Sequence, residues 1–297
     1  MADKTIIETT KMYGGEVIID FYPTSHMYKV TDEKNGLVKK RVKGVTTFLG
    51  IKDKSMPLVS WATETAGLHL YDILHKGETI TMSDIRDAIG KHKQIKEEAA
   101  TIGKEMHEWC EYFIKHKLKR PGYETAPKLP TDPQQLLGIN SFLEWYTAHK
   151  VQFIDSERVV YSRKHQYIGT MDFDAIIDGK RTGGDFKSSN GLYNTVLAQI
   201  SAYQAAREEE AEYLGTPIKY ESRVAVRLSK ETESEYNVRM ERKNIMKDKV
   251  GEPIEPYKAF EWKTFDGRES HERDLAGFLL TKALTEWDDA TDFYKNK

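Results

Sequence analysis

The stretch that decides the fold covers residues 151–187 and reads VQFIDSERVVYSRKHQYIGTMDFDAIIDGKRTGGDFK. Its alternating and β-branched character predicts three successive strands, over 151–162, 166–178 and 180–187. The dipeptide Asp178-Gly179 predicts the tight turn between the last two. Because strand side chains alternate, Asp185 and Lys187 point to one face, and Asp172 on the adjoining strand can meet Asp185 across the ladder.

Helices are predicted on both sides of this hairpin. Downstream, a helix over about 191–214 carries Gln199 and Tyr203 one turn apart, and a strand follows around 217–228. Upstream, further helices are predicted over about 56–76, from a cap at Ser83 towards 118, and over about 133–149. A core-facing stripe is expected on the second of them, made of Ile95, Ala99, Ile102, Met106, Trp109 and Phe113.

The two ends of the chain complete the prediction. Strands are expected at 16–21, 26–31 and 37–43, with Asn35-Gly36 as a hairpin turn, and near 235–241 and 257–265. A final helix is expected over about 271–294, with one face formed by Leu275, Leu279, Ala283, Trp287 and Ala290. This order predicts an α/β fold in which helices flank a mixed central sheet. We expect one domain over 1–297, divided into an N-terminal β elaboration (1–50), a mostly helical part (51–150), a core (151–230) and C-terminal strands and helix (231–297).

Composition narrows the function classes. The 297 residues are 39% hydrophobic and carry a net charge of −2, so any polyanionic substrate requires a local basic groove. No run of about 20 apolar residues spans a membrane, and Met1-Ala2-Asp3-Lys4 does not resemble a signal peptide. The single cysteine, Cys110, suits a reducing cytoplasm and excludes a cysteine-ligated iron–sulfur cluster within this chain.

The chemistry is expected at the third of three D-x-K triplets. Asp32-Glu33-Lys34 and Asp178-Gly179-Lys180 lie at predicted turns, where these residue types are common for backbone reasons. Asp185-Phe186-Lys187 instead ends a strand, with the second acid one strand away. Carboxylate oxygens suit Mg²⁺ or Mn²⁺, and a nearby lysine can orient or deprotonate a metal-bound water. Asp174 shares the predicted face and is a reserve ligand.

Other candidate groups have plainer alternatives. His107 and Glu111 lie one helical turn apart, either facing the same site or forming a half-exposed row; Glu111 replaces the second histidine of a zinc-peptidase H-E-x-x-H motif. Gln199 can hold a phosphate or the lysine, and Tyr203 can contact a nucleic-acid backbone. The segment containing Arg163 and Lys164, like the basic run at 39–43, is either a single-strand-binding patch or solvated surface.

Taken together, these motifs resemble the PD-(D/E)XK nuclease superfamily, in its RecB-like exonuclease branch. The matching order is Gly103-x-x-x-His107-x-x-x-Glu111, Gly169-x-x-Asp172, Asp185-x-Lys187 and Gln199-x-x-x-Tyr203. The upstream part is similar to phage and mitochondrial genome-maintenance exonucleases, through a hairpin with His26 and Tyr28, Val45-Thr46-Thr47 and Trp61-Ala62. Departures are the glycines of Thr182-Gly183-Gly184, where the family has branched apolar residues, and the missing cysteine quartet of some relatives.

The resemblance implies a restriction-endonuclease-like core and assigns roles. His107, Asp172, Asp185 and the Phe186 carbonyl would ligate Mg²⁺ or Mn²⁺, and Lys187 would align the attacking water. Gln199 and Tyr203 would hold the substrate end, and the other expected substrate contacts are Glu111, Arg163, Lys164 and Thr46. No iron–sulfur cluster and no membrane are expected.

The function expected from the sequence is therefore a metal-dependent DNA exonuclease acting on single strands or duplex ends, in recombination, repair or phage DNA processing. The resemblance also implies a partner such as an annealing protein or a helicase. Two alternatives stay open: a structure-specific endonuclease with the same chemistry, and a catalytically silent DNA-binding scaffold derived from a nuclease.

Overall fold

A computed structural model describes residues 8–52 and 55–291. Its strands are β1 (Glu8–Met12), β2 (Val17–Tyr22), β3 (Met27–Asp32), β4 (Leu37–Val42), β5 (Val151–Ser162), β6 (Tyr167–Ile177), β7 (Lys180–Lys187), β8 (Ser222–Leu228) and β9 (Phe260–Asp266). Its α-helices are α1 (Val45–Leu49), α2 (Ser55–His75), α3 (Met82–Lys117), α4 (Pro133–Ala148), α5 (Thr195–Tyr213), α6 (Glu233–Met246) and α7 (Arg268–Ala290).

Two sheets organise the chain. The first is an antiparallel meander in the order β1-β2-β3-β4, and the second has the order β5-β6-β7-β8-β9. In the second sheet β7 and β8 are parallel, whereas the other neighbours are antiparallel. The parallel pair arises because α5 connects the two strands and returns the chain to the starting edge. The predicted mixed α/β architecture is confirmed.

Both faces of the five-stranded sheet are covered by apolar side chains. On one face α3 and α4 contribute Met106, Phe142 and Trp145, which pack against sheet residues including Phe173 and Phe186. On the other face α1, α5 and α7 form a second cluster with the sheet, whose members include Val45, Tyr167, Met171, Tyr203 and Phe278. The five-stranded sheet is therefore enclosed between two apolar layers.

The N-terminal sheet packs against one end of the β5–β6 hairpin. Its inner face supplies Val17, Ile19 and Val30, which lie in a third cluster with Tyr161 and Ile168 of the hairpin. The N-terminal elaboration is therefore fixed to the strand that continues into Gly169-x-x-Asp172, the centre of the expected site.

Several details differ from the sequence prediction. Residues 235–241, predicted as a strand, belong to helix α6, which a capping box between Thr232 and Glu235 begins. The cap of α3 is Thr81 rather than Ser83, because Thr81 forms the capping box with Asp84. Asn35-Gly36 does not form a two-residue turn; Gly36, at φ +68°, ends a 3₁₀ turn that starts at Glu33.

Two predicted helix faces also need correction. On α3, Ile95 is exposed, and the fully buried positions include Gly103, Cys110 and Ile114 beside Met106. On α7, Phe278 is buried, whereas Trp287 is 62% exposed, so the apolar face does not continue to the end of the helix. Residues 292–294 of the predicted helix lie outside the described residues, as does Met1-Ala2-Asp3-Lys4. In the part of the chain that is described, no helix has the length and apolar character needed to cross a bilayer.

Candidate functional site

The two acidic motifs meet where β6 and β7 run side by side. Phe173 pairs with Gly184 in the antiparallel register, which brings Asp172 opposite Asp185 at the next position. The backbone N–H of Phe186 donates to Asp172 Oδ2 at 2.8 Å. Asp172 is thus fixed by the backbone of the D-x-K strand itself.

The alternation of side chains along β6 is interrupted at Asp172. Met171 packs in the cluster on the α5 side, yet Phe173, two residues later, packs in the cluster on the α3 side. Glu157, which lies opposite Asp172 on β5, has a left-handed backbone with φ +50°. A non-glycine residue in this conformation costs about 1–3 kcal/mol, and such positions concentrate at functional sites.

This interruption removes Asp174 from the candidate ligands. Its carboxylate is buried and accepts hydrogen bonds from Arg181 Nη2 at 2.6 Å and Tyr220 Oη at 3.0 Å. The expectation that Asp174 shares a face with Asp172 is wrong, because the strand changes its facing direction between them.

Two side chains of helix α5 reach the pair formed by Asp185 and Lys187. Gln199 Nε2 donates to Asp185 Oδ1 at 2.9 Å and to Tyr203 Oη at 3.1 Å, so both helix residues reach the site. Lys187 forms an ion pair with Asp185 Oδ2, a buried oxygen that accepts no hydrogen bond of good geometry. Gly169 permits this arrangement, because a Cβ there would overlap the Tyr203 ring.

Helix α3 reaches the site from the opposite face. His107 Nδ1 lies 3.4 Å from Asp172 Oδ2. One turn earlier, Gly103 is buried against Ser188, so the helix approaches the end of β7 closely. One turn later, Glu111 forms an ion pair with Lys115. The row Gly103-His107-Glu111 therefore faces the part of β6 and β7 where the acids lie.

Glu157 is a site residue that the sequence interpretation missed. Burial, followed by the carboxylates of Asp172 and Glu111, raises its pKa to about 9, and Asp185 adds to the rise. An isolated glutamate in a strand gives no signal of its own. The pKa of this side chain shows that four carboxyl groups interact electrostatically around Asp172.

The charges of the D-x-K pair act on each other. Burial, opposed by Lys187, raises the pKa of Asp185, and Asp172 contributes to the rise. Burial disfavours the charged form of Lys187, but the carboxylates of Asp185 and Asp172 outweigh it and hold its pKa above the ordinary value. Lys187 is therefore an ammonium at neutral pH, which suits it to orient a nucleophile and stabilise negative charge rather than to remove a proton.

The donor set fits a hard divalent cation by its chemistry. Asp172, Asp185, Glu157 and Glu111 offer carboxylate oxygens, and His107 offers an imidazole nitrogen. Burial and the neighbouring carboxylates raise the pKa of Glu157 and of Asp185, and a divalent cation would relieve the repulsion. As the side chains stand across residues 8–52 and 55–291, no three His, Cys, Asp or Glu residues form a ready metal-binding group.

The remaining expected substrate contacts lie outside this centre. Arg163 Nε and Nη2 donate to Asp32 at 2.9 Å, and its Nη1 lies 3.0 Å from Glu16. This guanidinium ties the N-terminal sheet to the β5–β6 hairpin, contrary to its expected place in a nucleic-acid groove. The side chain of Lys164 is exposed beside it, and Thr46 is exposed in the first turn of α1.

An aromatic surface lies beside the acids. Phe21 and Tyr28 are cross-strand partners whose rings stack with centroids 4.7 Å apart, and the His26 ring lies 5.3 Å from Phe21. The Tyr28 and Thr170 hydroxyls are 3.4 Å apart. Burial raises the pKa of Tyr28; the hydrogen bond to Thr170 opposes this rise, and the carboxylate of Glu157 adds to it. The hairpin that the sequence singled out thus places its rings two residues from Asp172.

Comparison with known proteins gives no independent assignment. No protein-family model matches the chain, and no curated protein matches it.

Proposed function

We propose that this chain is a Mg²⁺- or Mn²⁺-dependent deoxyribonuclease of the PD-(D/E)XK type, with a restriction-endonuclease-like core. The observation that carries the proposal is the meeting of Asp172, Asp185 and Lys187 with His107 where strands β6 and β7 adjoin. Two carboxyl groups held this close repel each other, and a bound cation or a reaction that uses them would account for the arrangement.

Each residue has a task that its contacts support. Asp172, Asp185 and His107 would hold the cation, which when bound lowers the pKa of water and neutralises charge on the phosphate. Lys187, as an ammonium, orients the nucleophile and stabilises charge that develops on the phosphoryl oxygens. Gln199 positions Asp185 through its hydrogen bond, and also contacts Tyr203.

The aromatic surface favours a nucleic-acid substrate with unpaired bases. Stacking of bases on Phe21 and Tyr28 would hold a single strand beside Asp172 without reading its sequence, at about 1–3 kcal/mol per base. The proposed activity is accordingly exonucleolytic, on single-stranded DNA or duplex ends, in recombination, repair or phage DNA processing. An annealing protein or a helicase is the proposed kind of partner, in the cytoplasm of a bacterial or phage-infected cell.

End-labelled single- and double-stranded oligonucleotides, incubated with Mg²⁺, Mn²⁺ or EDTA, test the proposal. We expect cleavage with either metal and none in EDTA. D185N and K187A should abolish cleavage. The chain supplies a matched control at the other end of β7: Asp178 and Lys180 form a second D-x-K triplet at a turn, so D178N and K180A should cleave normally.

Two outcomes would replace the proposed exonuclease activity with one of the alternatives. Cleavage of circular single-stranded DNA would show an endonuclease, since an exonuclease has no end from which to start. Absence of cleavage with retained binding of DNA would show a silent scaffold. Full activity of D185N or K187A would contradict the proposed chemistry.

A further inference from the structure

A polar cavity opens beside the candidate site, where the parallel strands β7 and β8 both end. Its volume is about 130 Å³. Residues at the ends of β7 and β8, including Ser188, Asn190, Arg227 and Lys230, line it together with Gln134 of α4 and Arg239 of α6. In α/β folds the crevice at the carboxyl ends of parallel strands is where ligands commonly bind.

The basic residues of this cavity differ in their partners. Arg239 makes two hydrogen bonds to Glu231, at 2.9 and 2.6 Å. Arg227 lies 3.4 Å from Glu261 and donates to the Lys258 carbonyl at 3.2 Å. Both arginines are therefore already neutralised by the protein.

Lys230 has no such neutralisation. Its Nζ donates to the Ala99 carbonyl at 3.4 Å, and no carboxylate among the described residues lies within ion-pair distance of it. Burial lowers its pKa, and the carboxylate of Glu231, which is already paired with Arg239, opposes this only in part. A partly buried cation in a cavity of this size favours an anion as the missing partner.

The position of the cavity identifies the anion. Ser188 directly follows Lys187, and three residues of extended chain span at most about 10 Å, so the cavity lies within that reach of the D-x-K pair. The hydroxyl of Ser188 and the amide of Asn190 add neutral donors of the kind that contact phosphate oxygens. A strand whose scissile phosphate lies at Asp185 carries its next phosphates at this scale of distance.

We propose that this cavity binds a non-scissile phosphodiester of the substrate strand, with Lys230 as the charged contact. The inference rests on the proposed nuclease function and adds a substrate-positioning residue to it. Lys230 touches the strand away from the reacting atoms, so its loss should change substrate affinity rather than the chemical step.

The test compares K230Q with K219Q. Lys219 is an exposed lysine just before the opposite end of β8, so its substitution matches the charge change without touching the cavity. With single-stranded oligonucleotide and Mg²⁺, K230Q should raise KM roughly tenfold and leave kcat within about twofold. The slope of log KM against log salt concentration should also fall by about one, because one phosphate contact is lost. A purely structural role would leave that slope unchanged. K219Q should change neither quantity.

A second variant and a comparison of substrates complete the test. If K230Q does not fold, N190D introduces a negative charge at an exposed position of the cavity and should raise KM in the same way. Equal effects on 5′-phosphorylated and 5′-hydroxyl substrates would identify a backbone phosphate, whereas an effect confined to the 5′-phosphorylated strand would overturn that assignment in favour of a terminal phosphate. Unchanged KM and salt dependence in an active K230Q would refute the cavity's role and leave the nuclease proposal intact.

The cavity can also be tested if the proposed nuclease activity is not found. If no oligonucleotide is cleaved, inorganic phosphate can be used as the probe, because a bound anion stabilises the folded state. Phosphate should then raise the Tm of the unsubstituted chain and of K219Q, but not of K230Q. Equal shifts in all three would overturn the inference.

Discussion

Replacing Arg163 with methionine separates a structural role from a substrate-binding one. The Arg163 guanidinium donates two hydrogen bonds of 2.9 Å to Asp32, which is fully buried, and lies 3.0 Å from Glu16. It also stacks over the rings of Tyr13 and Tyr213, at 4.9 and 5.1 Å from their centroids. Methionine keeps much of the apolar stem but removes every charged contact.

The expected effect is a large loss of stability. Removing one partner of a buried ion pair costs about 3–5 kcal/mol, because the other charge stays buried without compensation. Asn35 Nδ2, 2.8 Å from Asp32, remains as a neutral donor. We therefore expect the loss in the free energy of unfolding to lie near the lower end of this range. At about 2–4 °C per kcal/mol, the Tm should fall by roughly 6–20 °C. The double variant D32N/R163M should recover much of this loss, since it no longer buries an unpaired carboxylate.

Chemical denaturation measures the free energy of unfolding, and fluorescence anisotropy with a labelled single strand, well below Tm, measures DNA affinity. We expect R163M to lose stability while keeping its affinity within about threefold. The reasoning is refuted if R163M unfolds within about 1 kcal/mol of the unsubstituted chain but binds DNA tenfold or more weakly. That result would return Arg163 to the nucleic-acid surface.

Three further predictions concern a strand, a helix and the aromatic surface. G184A should lose about 1–3 kcal/mol of stability, because a Cβ there overlaps the Phe173 ring; denaturation measures it. Burial, with the Arg268 charge second, lowers the pKa of His271 to about 4. Its neutral form therefore stabilises the fold above about pH 6.5, and roughly 3 kcal/mol is lost as pH falls from 6.5 towards 4; H271Q should flatten that part of the stability profile. F21A should weaken single-strand binding by about 1–3 kcal/mol in an anisotropy titration.

Each of these has a control and a contrary outcome. G191A, where an added Cβ meets nothing within 4 Å, should be neutral, and a neutral G184A would contradict the packing argument. A pH profile unchanged by H271Q would assign the acid instability to other groups. Y22A alters the neighbouring residue on the outer face of β2, so equal losses in Y22A and F21A would argue against a stacking surface.

The central hairpin could be predicted because its signals are local. Alternation and the Asp178-Gly179 turn fix β5, β6 and β7 to within a residue or so, and the register then brings Asp172 to Asp185. Gln199 and Tyr203 follow from helical spacing alone. The glycines at 183 and 184, unusual for a central strand, are explained only by packing: the Phe173 ring occupies the space a side chain would need at Gly184.

The features that could not be predicted arise where a strand departs from regular alternation or where contacts join residues distant in sequence. The change of face at Asp172, which excludes Asp174, depends on the left-handed backbone of Glu157 across the ladder. Arg163 looked like a basic patch because its partners Asp32 and Glu16 lie more than 130 residues away in sequence. In contrast, helix α6 had a readable signal, Thr232-x-x-Glu235, which the alternation downstream obscured.

Several departures from favourable local structure lie close to Asp172 and Asp185. Glycine in a strand costs about 0.5–1 kcal/mol each, and β6 and β7 contain Gly169, Gly183 and Gly184 beside the acids. The left-handed Glu157 adds about 1–3 kcal/mol, and burial together with the carboxylates of Asp172 and Glu111 raises its pKa. Against a typical total stability of about 5–15 kcal/mol these are large costs. The proposed function would account for the retention of these costs around Asp172 and Asp185.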